Sequence, residues 1–556
     1  MDEPVKAENR KTLFLALIPA LITFIIYLPA LKNGFAGVWD DQFYIIDNPH
    51  IREISSRFFT WAFLSAYYGN WHPLTTIVNA VEFHFFGLEP FGYHLVNNLL
   101  HSIDTFLVFL LGYRLITLAS SKGRGPLIGA FVASLLFGLH PLHVESVAWV
   151  SELKDVLCAL FYLLAILSYL KYASQEAGAF YFLTIASFIL ALFSKPMAVS
   201  LPPVLLILDL YPLKRLSLKS LIEKAPLFFL SAVSSALTVR AQGSGESIVA
   251  LEAHTIIERV STAVNGYAFY IYKLALPANL SPFYPLPAGE GLLNPVFMAS
   301  FLIFVFITVL SIALLKRSKA FLASWLFFVV TLLPVIGIVQ VGGQAAADRY
   351  MYIPSLAPFV LMGSWAGDAF EAWNGRIRVL PAIVAVAVLS ILSFLTFRQT
   401  SFWKGPIELW SRAIEVYSER VPIAYYHRGI AYRETGRYNE AAADFGHVID
   451  VLPRMPEAYY NRALANSEMK DHKAAIDDLT RAIVLNPDYT DAYNNRGAAY
   501  FRLGAYEQAI EDFKTVIQID PQYSTAYQNL GLVYSKMGNA GEGAYYMERG
   551  REVENR

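Results

Sequence analysis

The sequence predicts an all-α protein in which a bundle of about eleven membrane-spanning helices precedes a C-terminal array of helical repeats. Three observations predict this architecture. Of the 556 residues, 55% are hydrophobic and only 16% are charged, whereas soluble proteins carry about 25% charged residues. The apolar excess is confined to residues 13–397. From Pro422 onward the chain has an ordinary soluble composition and repeats every 34 residues.

The change in composition near Arg398 predicts three regions. Residues 1–397 form a polytopic membrane domain, and residues 398–421 form a linker that contains a degenerate helix. Residues 422–556 form the repeat domain, with units near 422–455, 456–489, 490–523 and 524–556. The net charge of −1 gives no reason to expect binding to nucleic acid. The single cysteine, Cys158, lies in an apolar run and is expected to be an inert core residue.

The first apolar run, residues 13–31, is long enough to cross a bilayer. It is longer than the apolar core of a cleavable signal peptide, and it ends in Lys32-Asn33-Gly34 rather than at a small-residue cleavage site. We therefore expect an uncleaved first span. The ten further runs predicted to span are 94–113, 126–140, 155–170, 178–194, 197–213, 225–240, 295–315, 320–341, 352–367 and 379–397.

The distribution of Lys and Arg predicts the orientation of these spans, because cytoplasmic loops are enriched in both. The clusters at 316–319 and 376–378 fall on the cytoplasmic side only if residues 259–277 do not cross the membrane. We therefore expect 259–277 to be an interfacial or re-entrant helix. Eleven crossings predict a multi-pass protein of the inner cell membrane, with a cytoplasmic N-terminus and the repeats on the outer, periplasmic side.

The C-terminal repeats carry a residue pattern of high specificity. An aromatic residue, a small residue four positions later, an alanine in a second helix and a terminal proline recur in register. In the first unit these are Tyr425, Gly429, Ala441 and Pro453. The small residues let two helices approach closely and the proline ends the second helix. This is the tetratricopeptide pattern, and it predicts stacked helical hairpins whose concave face binds a polypeptide acceptor or partner protein.

Several ionisable residues lie beside the apolar runs, where such groups are candidates for function. In "VWDDQFYIIDNPHI", Asp40 and Asp41 are either part of a solvated loop or a reaction centre, and "DNP" predicts a turn beginning at Asp47. The segment "LHPLHVESVAWVSELKDVL" concentrates polar residues that we expect to line a pocket, including His143 and Asp155. The spacing of His143 and Glu145 differs from the ligand pair of a zinc-protease helix, so a metal site is the less favoured interpretation.

Three further stretches complete the candidate site. Lys195 lies in the turn of "FSKPMAVSLPP", and Arg349 lies in "GGQAAADRYMYIPS". These two cations either extend to the membrane interface or bind a phosphate, for which Arg is well suited. The remaining residues expected to line the pocket are Asp348, Tyr350 and His72. For the region around His72, Trp61 and Trp71, aromatic contact with the membrane interface is the stronger alternative.

The acidic first outward loop, the "HPLHVESVAWV" loop, the "SKP" turn and the repeat tail together resemble the transmembrane and tetratricopeptide-repeat-containing O-mannosyltransferases. The resemblance covers nearly the whole chain. It implies a GT-C class membrane fold that transfers a sugar from a polyprenyl-phosphate donor to an acceptor on the outer face. It also implies that Asp40 or Asp41 is the catalytic base and that Glu145 is the acidic site residue of the second outward loop.

The chemistry that the resemblance implies is consistent with these residues. A base takes the proton of an acceptor hydroxyl, which displaces the lipid phosphate with inversion. Arg349 and Lys195 would stabilise the departing phosphate, and no cofactor or divalent metal is required. Two alternatives remain open at this point. A non-enzymatic, membrane-anchored repeat scaffold predicts that Asp40, Asp41 and Glu145 scatter in space, and a transporter of lipid-linked sugars predicts more polar residues in mid-span.

Overall fold

The computed structural model describes residues 3–37, 39–119, 123–244, 256–286, 294–338, 343–372, 379–418 and 421–555. In these ranges the regular secondary structure is helical apart from a short antiparallel ribbon, β1 (Tyr284–Pro285) with β2 (Gln344–Ala346). The all-α fold class is therefore confirmed. The helices before the repeats are α1 (Glu3–Ile26), α2 (Ser56–Leu64), α3 (Pro73–Phe86), α4 (Pro90–Ala119), α5 (Gly125–Leu139), α6 (Val144–Ala148), α7 (Leu153–Gln175), α8 (Gly178–Ser194), α9 (Leu201–Leu210), α10 (Leu218–Ile222), α11 (Ala225–Ser244), α12 (Ile256–Ala275), α13 (Pro295–Ala313), α14 (Lys319–Leu332), α15 (Leu356–Ala372), α16 (Val379–Thr400) and α17 (Pro406–Tyr417).

Two compact units divide the chain, Met1–Leu409 and Trp410–Arg556. The division falls inside α17, within the segment 398–421 that the sequence predicts to be a linker with a degenerate helix. The second unit contains α18 (Pro422–Glu434), α19 (Tyr438–Val451), α20 (Pro456–Glu468), α21 (His472–Leu485), α22 (Thr490–Arg502), α23 (Tyr506–Ile519), α24 (Ser524–Lys536) and α25 (Ala540–Glu554).

Within the described residues, six helical segments are long and apolar enough to cross a bilayer, and this is the organisation of a multi-pass membrane protein. They are Lys11–Lys32, Pro90–Ala119, Val150–Gln175, Leu218–Gly243, Pro295–Lys316 and Val379–Trp403. A seventh consists of Gly125–Leu139 and Pro141–Ala148, which bend by 49° at their junction. The bend follows from Pro141, because proline cannot continue the helical hydrogen bonding of α5.

The remaining predicted spans differ from these segments in length. Three are shorter apolar helices, Gly178–Ser194, Pro196–Leu210 and Lys319–Leu332. The predicted span 352–367 corresponds to α15, and the predicted interfacial helix 259–277 corresponds to α12. Within the described ranges, neither meets the length and composition expected of a span. A prediction from apolar runs alone treats a break such as Lys195–Pro196 as a loop between two full-length spans. The structure instead has a short helix on each side of this break.

Glycine pairs bring α5 and α15 into close backbone contact. A Cβ atom on Gly363 would lie 2.3 Å from the carbonyl oxygen of Gly129, and one on Gly367 would lie 2.3 Å from that of Gly125. Both helices therefore present two glycines four positions apart, the spacing with which small residues let membrane helices approach. This packing holds α15, and the turn that precedes it, against α5 and the polar segment that follows α5.

Helix α7 forms the centre of the first unit. Its buried residues include Tyr162, Leu163, Ile166, Tyr169 and Leu170. They belong to a core cluster that also contains residues of α4, α8 and α9. A helix that is apolar on most faces is expected to be surrounded by other helices. The start of α7 is consequently fixed in position, and the charged residues there have defined neighbours.

Each of the first three repeats of the second unit is a helical hairpin stabilised by an Arg–Asp pair between its two helices. The three pairs are Arg428–Asp444, Arg462–Asp478 and Arg496–Asp512, each with two parallel N–H···O contacts of 2.6–2.9 Å. The small residue of the repeat is required by packing. A Cβ atom on Gly429 would lie 2.9 Å from the ring of Phe445, so the hairpin closes only around glycine or a residue nearly as small.

Candidate active site

Four segments meet at one end of the helices of the first unit. They are the loop containing Asp40 and Asp41, the segment Glu145–Asp155, the turn at Lys195 and the turn Asp348–Met351. Each lies where an apolar helix begins or ends. Proline follows the helix end at Leu139 and at Ser194 by two positions, so the chain leaves the helical path there. The sequence separates these segments by up to about 300 positions.

Glu152 is the centre of an ion-pair network. One of its carboxylate oxygens lies 3.1 Å from Nζ of Lys154 and 3.3 Å from Nε of Arg349. The other oxygen lies 3.3 Å from Nζ of Lys195. The Glu152 side chain is 0% exposed. A buried carboxylate needs partners to offset the loss of hydration, and here three cations from three segments provide them.

Three further carboxylates complete the network, one for each cation. Arg349 forms an ion pair with Glu145 through its guanidinium, and its backbone N–H donates to the same carboxylate at 3.0 Å. Lys195 pairs with Asp155, and Lys154 lies 3.3 Å from Asp40. The network thus contains four carboxylates and three cations. Among the residues predicted to be catalytic or to bind phosphate, Asp40, Glu145, Arg349 and Lys195 belong to it.

Asp41 lies next to the network and has a different environment. One carboxylate oxygen accepts from the backbone N–H of Ala36 at 2.7 Å, and the other accepts from the backbone N–H of Ser151 at 2.9 Å and from its hydroxyl. Burial raises the pKa of Asp41 to about 6, and these hydrogen bonds oppose the rise. Both oxygens of Asp41 are therefore occupied, whereas the side chain of Asp40 is 30% exposed.

The two cations predicted to bind phosphate lie beside aromatic rings as well as carboxylates. The centroid of the Tyr350 ring is 5.1 Å from Cζ of Arg349 and 6.0 Å from Nζ of Lys195. The indole of Trp149 is 5.4 Å from the same guanidinium. Burial by itself lowers the pKa of both cations, but Glu145, Glu152 and Asp155 more than offset this, and the pKa of each is raised. Both side chains therefore stay charged.

Two of the residues expected to line the pocket have partners in the interior instead. His143 bonds through Nδ1 to the carbonyl oxygen of Phe137 at 2.7 Å and through Nε2 to Oγ of Ser355 at 3.0 Å. Asp348 accepts from the hydroxyl of Tyr284 at 2.6 Å, and burial raises its pKa. In the described ranges, no group of three His, Cys, Asp or Glu side chains is arranged to hold a metal ion.

A polar cleft of about 440 Å³, including its open mouth, adjoins the network at Lys154. His72 lines it together with Trp61, Tyr67, Asn70 and Asn79. Burial, followed by the charges of Lys154 and Lys195, lowers the pKa of His72 to about 3, so its imidazole is neutral at physiological pH. Trp71 lies outside the cleft, where its indole N–H donates to the carbonyl oxygen of Phe63 at 2.9 Å.

A second, apolar cavity of about 720 Å³ lies between α4, α7, α9, α14 and α15. Its lining contains no charged side chain and no member of the ion-pair network. Leu111, Ile207, Phe327 and Val360 are typical of its walls. Such a space suits an apolar group and does not provide the polar contacts that a reacting centre needs.

Sequence reasoning noted Glu152 and Lys154 within the polar segment but assigned them no role in the site, and it missed Ser151. Each lies in "VSELKDVL", where the sequence indicates only that polar residues border an apolar run. The available signal was their placement at the N-terminus of an otherwise apolar helix. Three charges within four positions cost too much there unless other segments compensate them. Which segments do so depends on how the helices pack.

Models of the tetratricopeptide repeat match residues 426–482, 467–504 and 490–523. The repeat pattern predicted from the sequence is therefore confirmed. Part of the chain resembles a solved structure, the crystal structure of MamA. The two are 30% identical in sequence over the matched region, which covers 28% of this chain and 92% of that chain, with a TM-score of 0.27.

Relatives with similarity outside the repeats are named as protein O-mannosyl-transferases. The chain is 25% identical to Protein O-mannosyl-transferase F38B6.6 of Caenorhabditis elegans over 459 residues, which is 79% of this chain and 62% of that protein. It is 24% identical to Protein O-mannosyl-transferase TMTC1 of Homo sapiens over 490 residues, 77% of this chain and 54% of that protein. The chain thus spans about half to two thirds of the length of these relatives. It is a multi-pass membrane protein with tetratricopeptide repeats that resembles the protein O-mannosyl-transferases over most of its length.

Proposed function

We propose that this protein is an integral membrane glycosyltransferase. It transfers a sugar from a polyprenyl-phosphate donor to a hydroxyl group of a polypeptide on the outer face of the membrane. The observation that carries the proposal is the link from Asp40 through Lys154 and Glu152 to Arg349. It joins the partly exposed carboxylate of Asp40 to Lys154 and to the buried Arg349, in a chain that resembles the protein O-mannosyl-transferases.

Asp40 is the general base in this proposal. A base must reach the proton that it abstracts, and the side chain of Asp40 is partly exposed. Asp41 is 0% exposed and its two oxygens already accept from Ala36 and Ser151, so it is less accessible to an acceptor hydroxyl than Asp40. Its role is to hold the loop so that Asp40 stays beside Lys154. The two adjacent acids thus differ in function because they differ in exposure.

The transfer is a single displacement. The acceptor hydroxyl gives its proton to the Asp40 carboxylate while its oxygen attacks the anomeric carbon. The bond between that carbon and the phosphate oxygen breaks, and its electron pair leaves with the polyprenyl phosphate. One bond forms as one breaks on the opposite side, so the configuration at the anomeric carbon is inverted.

The cations of the network stabilise the negative charge that grows on the departing phosphate. A fixed charge is most effective when it needs no reorganisation during the reaction. Glu145, Glu152 and Asp155 supply that fixation for Arg349 and Lys195, since each cation is held by two carboxylates. Lys154, which bridges Glu152 and Asp40, adds a third positive charge next to the base. No metal ion is needed in this scheme.

The repeats bind the polypeptide acceptor or a partner that delivers it. Stacked helical hairpins form an extended concave surface, and proteins use such surfaces to bind polypeptides. In this proposal the repeats determine which protein is modified, and the network performs the transfer.

The test compares two single variants with the wild type, all as the full-length protein reconstituted in lipid, with a polyprenyl-phosphate mannose donor and a serine- and threonine-rich peptide. Asp40→Asn should lower transfer by about 10²–10⁴-fold, the range of a general base. Asp47→Asn is the matched control, because Asp47 lies in the same loop and bonds only to Gln42 in the described chain. Full transfer by Asp40→Asn would overturn the proposal, and an unchanged anomeric configuration in the product would overturn the single displacement.

A further inference from the structure

We propose that the polar cleft bordered by Lys154 is the binding site for the pyranose ring of the lipid-linked donor. This inference rests on the proposed function and deepens it, since it assigns the sugar to residues that no motif marks. The cleft is defined by Trp61, Tyr67, Asn70, His72, Asn79 and Lys154. It is formed by α2, α3 and the turn between them, which belong to the loop that also carries Asp40.

The polar lining suits a ligand with several hydroxyl groups. Asn79 is 6% exposed, yet its Oδ1 atom has no hydrogen-bond partner within the described residues. A buried amide oxygen without a donor is destabilising, and a ligand hydroxyl would remove that cost. Asn70 and the neutral imidazole of His72 place further amide and ring nitrogens along the same wall. Amide and imidazole groups donate and accept, as alternating sugar hydroxyls require.

The aromatic lining suits the flat, apolar face of a sugar ring. Trp61 stacks on His50 with ring centroids 4.1 Å apart and meets the edge of Tyr67 at 5.4 Å. These contacts fix the orientation of the indole before a ligand arrives. Aromatic faces carry negative potential, against which the C–H bonds of a pyranose pack. Aromatic residues that only contact the membrane interface do not require this fixed packing around a polar cleft, so the packing favours the sugar site over the membrane-interface interpretation.

The charge pattern determines which end of the sugar faces the network. Of the residues that line the cleft, Lys154 is the charged one, and its Nζ atom is 3.3 Å from Asp40. A ring bound with its hydroxyls at Asn79 and His72 therefore has its anomeric carbon toward Lys154. This places the bond that breaks beside the base and the cations. A carboxylate-bearing ligand is not favoured by the rest of the wall, because no cationic group other than Lys154 lines it.

Direct binding tests the inference without requiring transfer. Saturation-transfer NMR would be recorded with methyl α-mannopyranoside and the full-length protein in lipid nanodiscs, since sugar-based detergents would compete. Signal from the sugar ring should be strong for the wild type and for Asp40→Asn. It should fall about tenfold for Trp61→Ala and for Asn79→Leu, the change that follows from losing roughly 1.4 kcal/mol of contact. Trp71→Ala is the matched control, because Trp71 lies ten positions away and outside the cleft.

Kinetics identifies the source of the sugar. If the cleft holds the donor, Asn79→Leu raises KM for the lipid-linked sugar about tenfold and leaves KM for the peptide unchanged. A rise in the peptide KM alone would overturn the assignment. So would the absence of a saturation-transfer signal in the wild type, or equal signals in the wild type and both cleft variants. Trp61→Phe, which keeps a ring, should recover part of the signal if the loss in Trp61→Ala is not caused by unfolding.

Failure of this inference is distinguishable from failure of the proposed function. If the Asp40→Asn variant transfers normally but the cleft variants lose sugar binding, the assigned base is wrong and the sugar site stands. If Asp40→Asn loses transfer while the cleft variants bind sugar as the wild type does, the assigned base stands and the sugar site is wrong.

Discussion

The Nζ atom of Lys154 lies 3.3 Å from Oδ2 of Asp40, although 114 positions separate the two residues in sequence. The contact joins the first loop after α1 to the first turn of α7. It also gives Asp40 a cationic neighbour, while Asp41, the next residue, turns inward to Ser151. Two adjacent acids that look equivalent in the sequence therefore occupy a partly exposed and a fully buried environment.

The ion-pair network should make a large contribution to the stability of the membrane unit through Glu152. Glu152→Gln leaves Lys154, Lys195 and Arg349 with one carboxylate fewer in a buried site. Removing one partner of a buried ion pair typically costs about 3–5 kcal/mol. We expect a clear fall in the Tm of the full-length protein in detergent.

The control for this variant is Glu176→Gln. Its pair with Lys219 has a similar distance, 3.3 Å, but the two side chains are 73% and 69% exposed. Exposed pairs contribute about 0–1 kcal/mol, so the Tm of this variant should stay close to that of the wild type. Equal Tm values for the two variants would contradict a stabilising role for the network.

Asp41 should impose a pH dependence that the variant Asp41→Asn lacks. Burial raises the pKa of Asp41 to about 6 in the folded protein, above the value of about 3.9 for an unfolded chain. The folded state therefore holds the proton more tightly. Its stability relative to Asp41→Asn is greatest below about pH 4 and is lost as the pH rises through about 6, by roughly 3 kcal/mol in total. Comparing the Tm of both proteins between about pH 4 and pH 7 tests this. Parallel curves would show that Asp41 does not titrate in that range.

The glycine contact between α5 and α15 should not tolerate a methyl group. In Gly363→Ala, the new Cβ atom would lie 2.3 Å from the carbonyl oxygen of Gly129, which belongs to the backbone and cannot rotate away. Overpacking of this kind costs about 1–3 kcal/mol. The matched control is Gly178→Ala, where nothing lies within 4 Å of the added atom. We expect a lower Tm for the first variant only. Loss of transfer together with Tm would indicate that the packing also positions Arg349.

The Arg–Asp pairs of the repeats should be individually important but replaceable as pairs. Arg496→Leu leaves Asp512, which is 3% exposed, without its two N–H donors. We expect a loss of about 1.5–3 kcal/mol, the usual contribution of hydrogen bonds to charged groups. Limited proteolysis of the full-length protein, with cleavage sites mapped to residues 490–523, measures the local opening of this hairpin.

The fourth repeat suggests the compensating change. It has Leu530 and Tyr546 at the positions equivalent to Arg496 and Asp512. The double variant Arg496→Leu/Asp512→Tyr should therefore resist proteolysis better than Arg496→Leu alone, since apolar replacement of both partners is often nearly neutral. Arg437→Leu, whose partner Glu440 is exposed, provides the control. Additive losses in the double variant would argue against equivalence with the fourth repeat.

The outline of the fold could be predicted because it depends on local patterns. Long apolar runs indicate burial in lipid. The 34-residue repeat indicates helical hairpins, in which each glycine and proline affects the structure of the residues next to it in sequence. Each signal involves residues close together in sequence. The breaks at Pro141 and Pro196 were less well predicted, because a run of apolar residues has the same composition whether it is one span or two short helices.

The candidate site could be predicted only in part. Asp40, Asp41, Glu145, Lys195 and Arg349 stood out because charged groups beside apolar runs are costly, and that cost is visible in the sequence. Glu152 carries the same signal but was less prominent within "SELKD". His143 also stood out, yet its two ring nitrogens bond to Phe137 and Ser355 in the interior. Charge and position indicate which residues need partners, but they do not indicate the partners.

The sequence by itself determined the all-α class, the tetratricopeptide array and the set of polar residues that border the membrane helices. These features follow from hydrophobicity, helix-breaking residues and repeat spacing, which act over short stretches of chain. The tertiary structure alone decided that Glu152 holds Lys154, Lys195 and Arg349, and that Asp40 lies partly exposed beside Lys154 while Asp41 is buried. The reason is physical. Ion pairing depends on distances of a few ångströms between segments, and the packing of α5, α7 and α15 sets those distances.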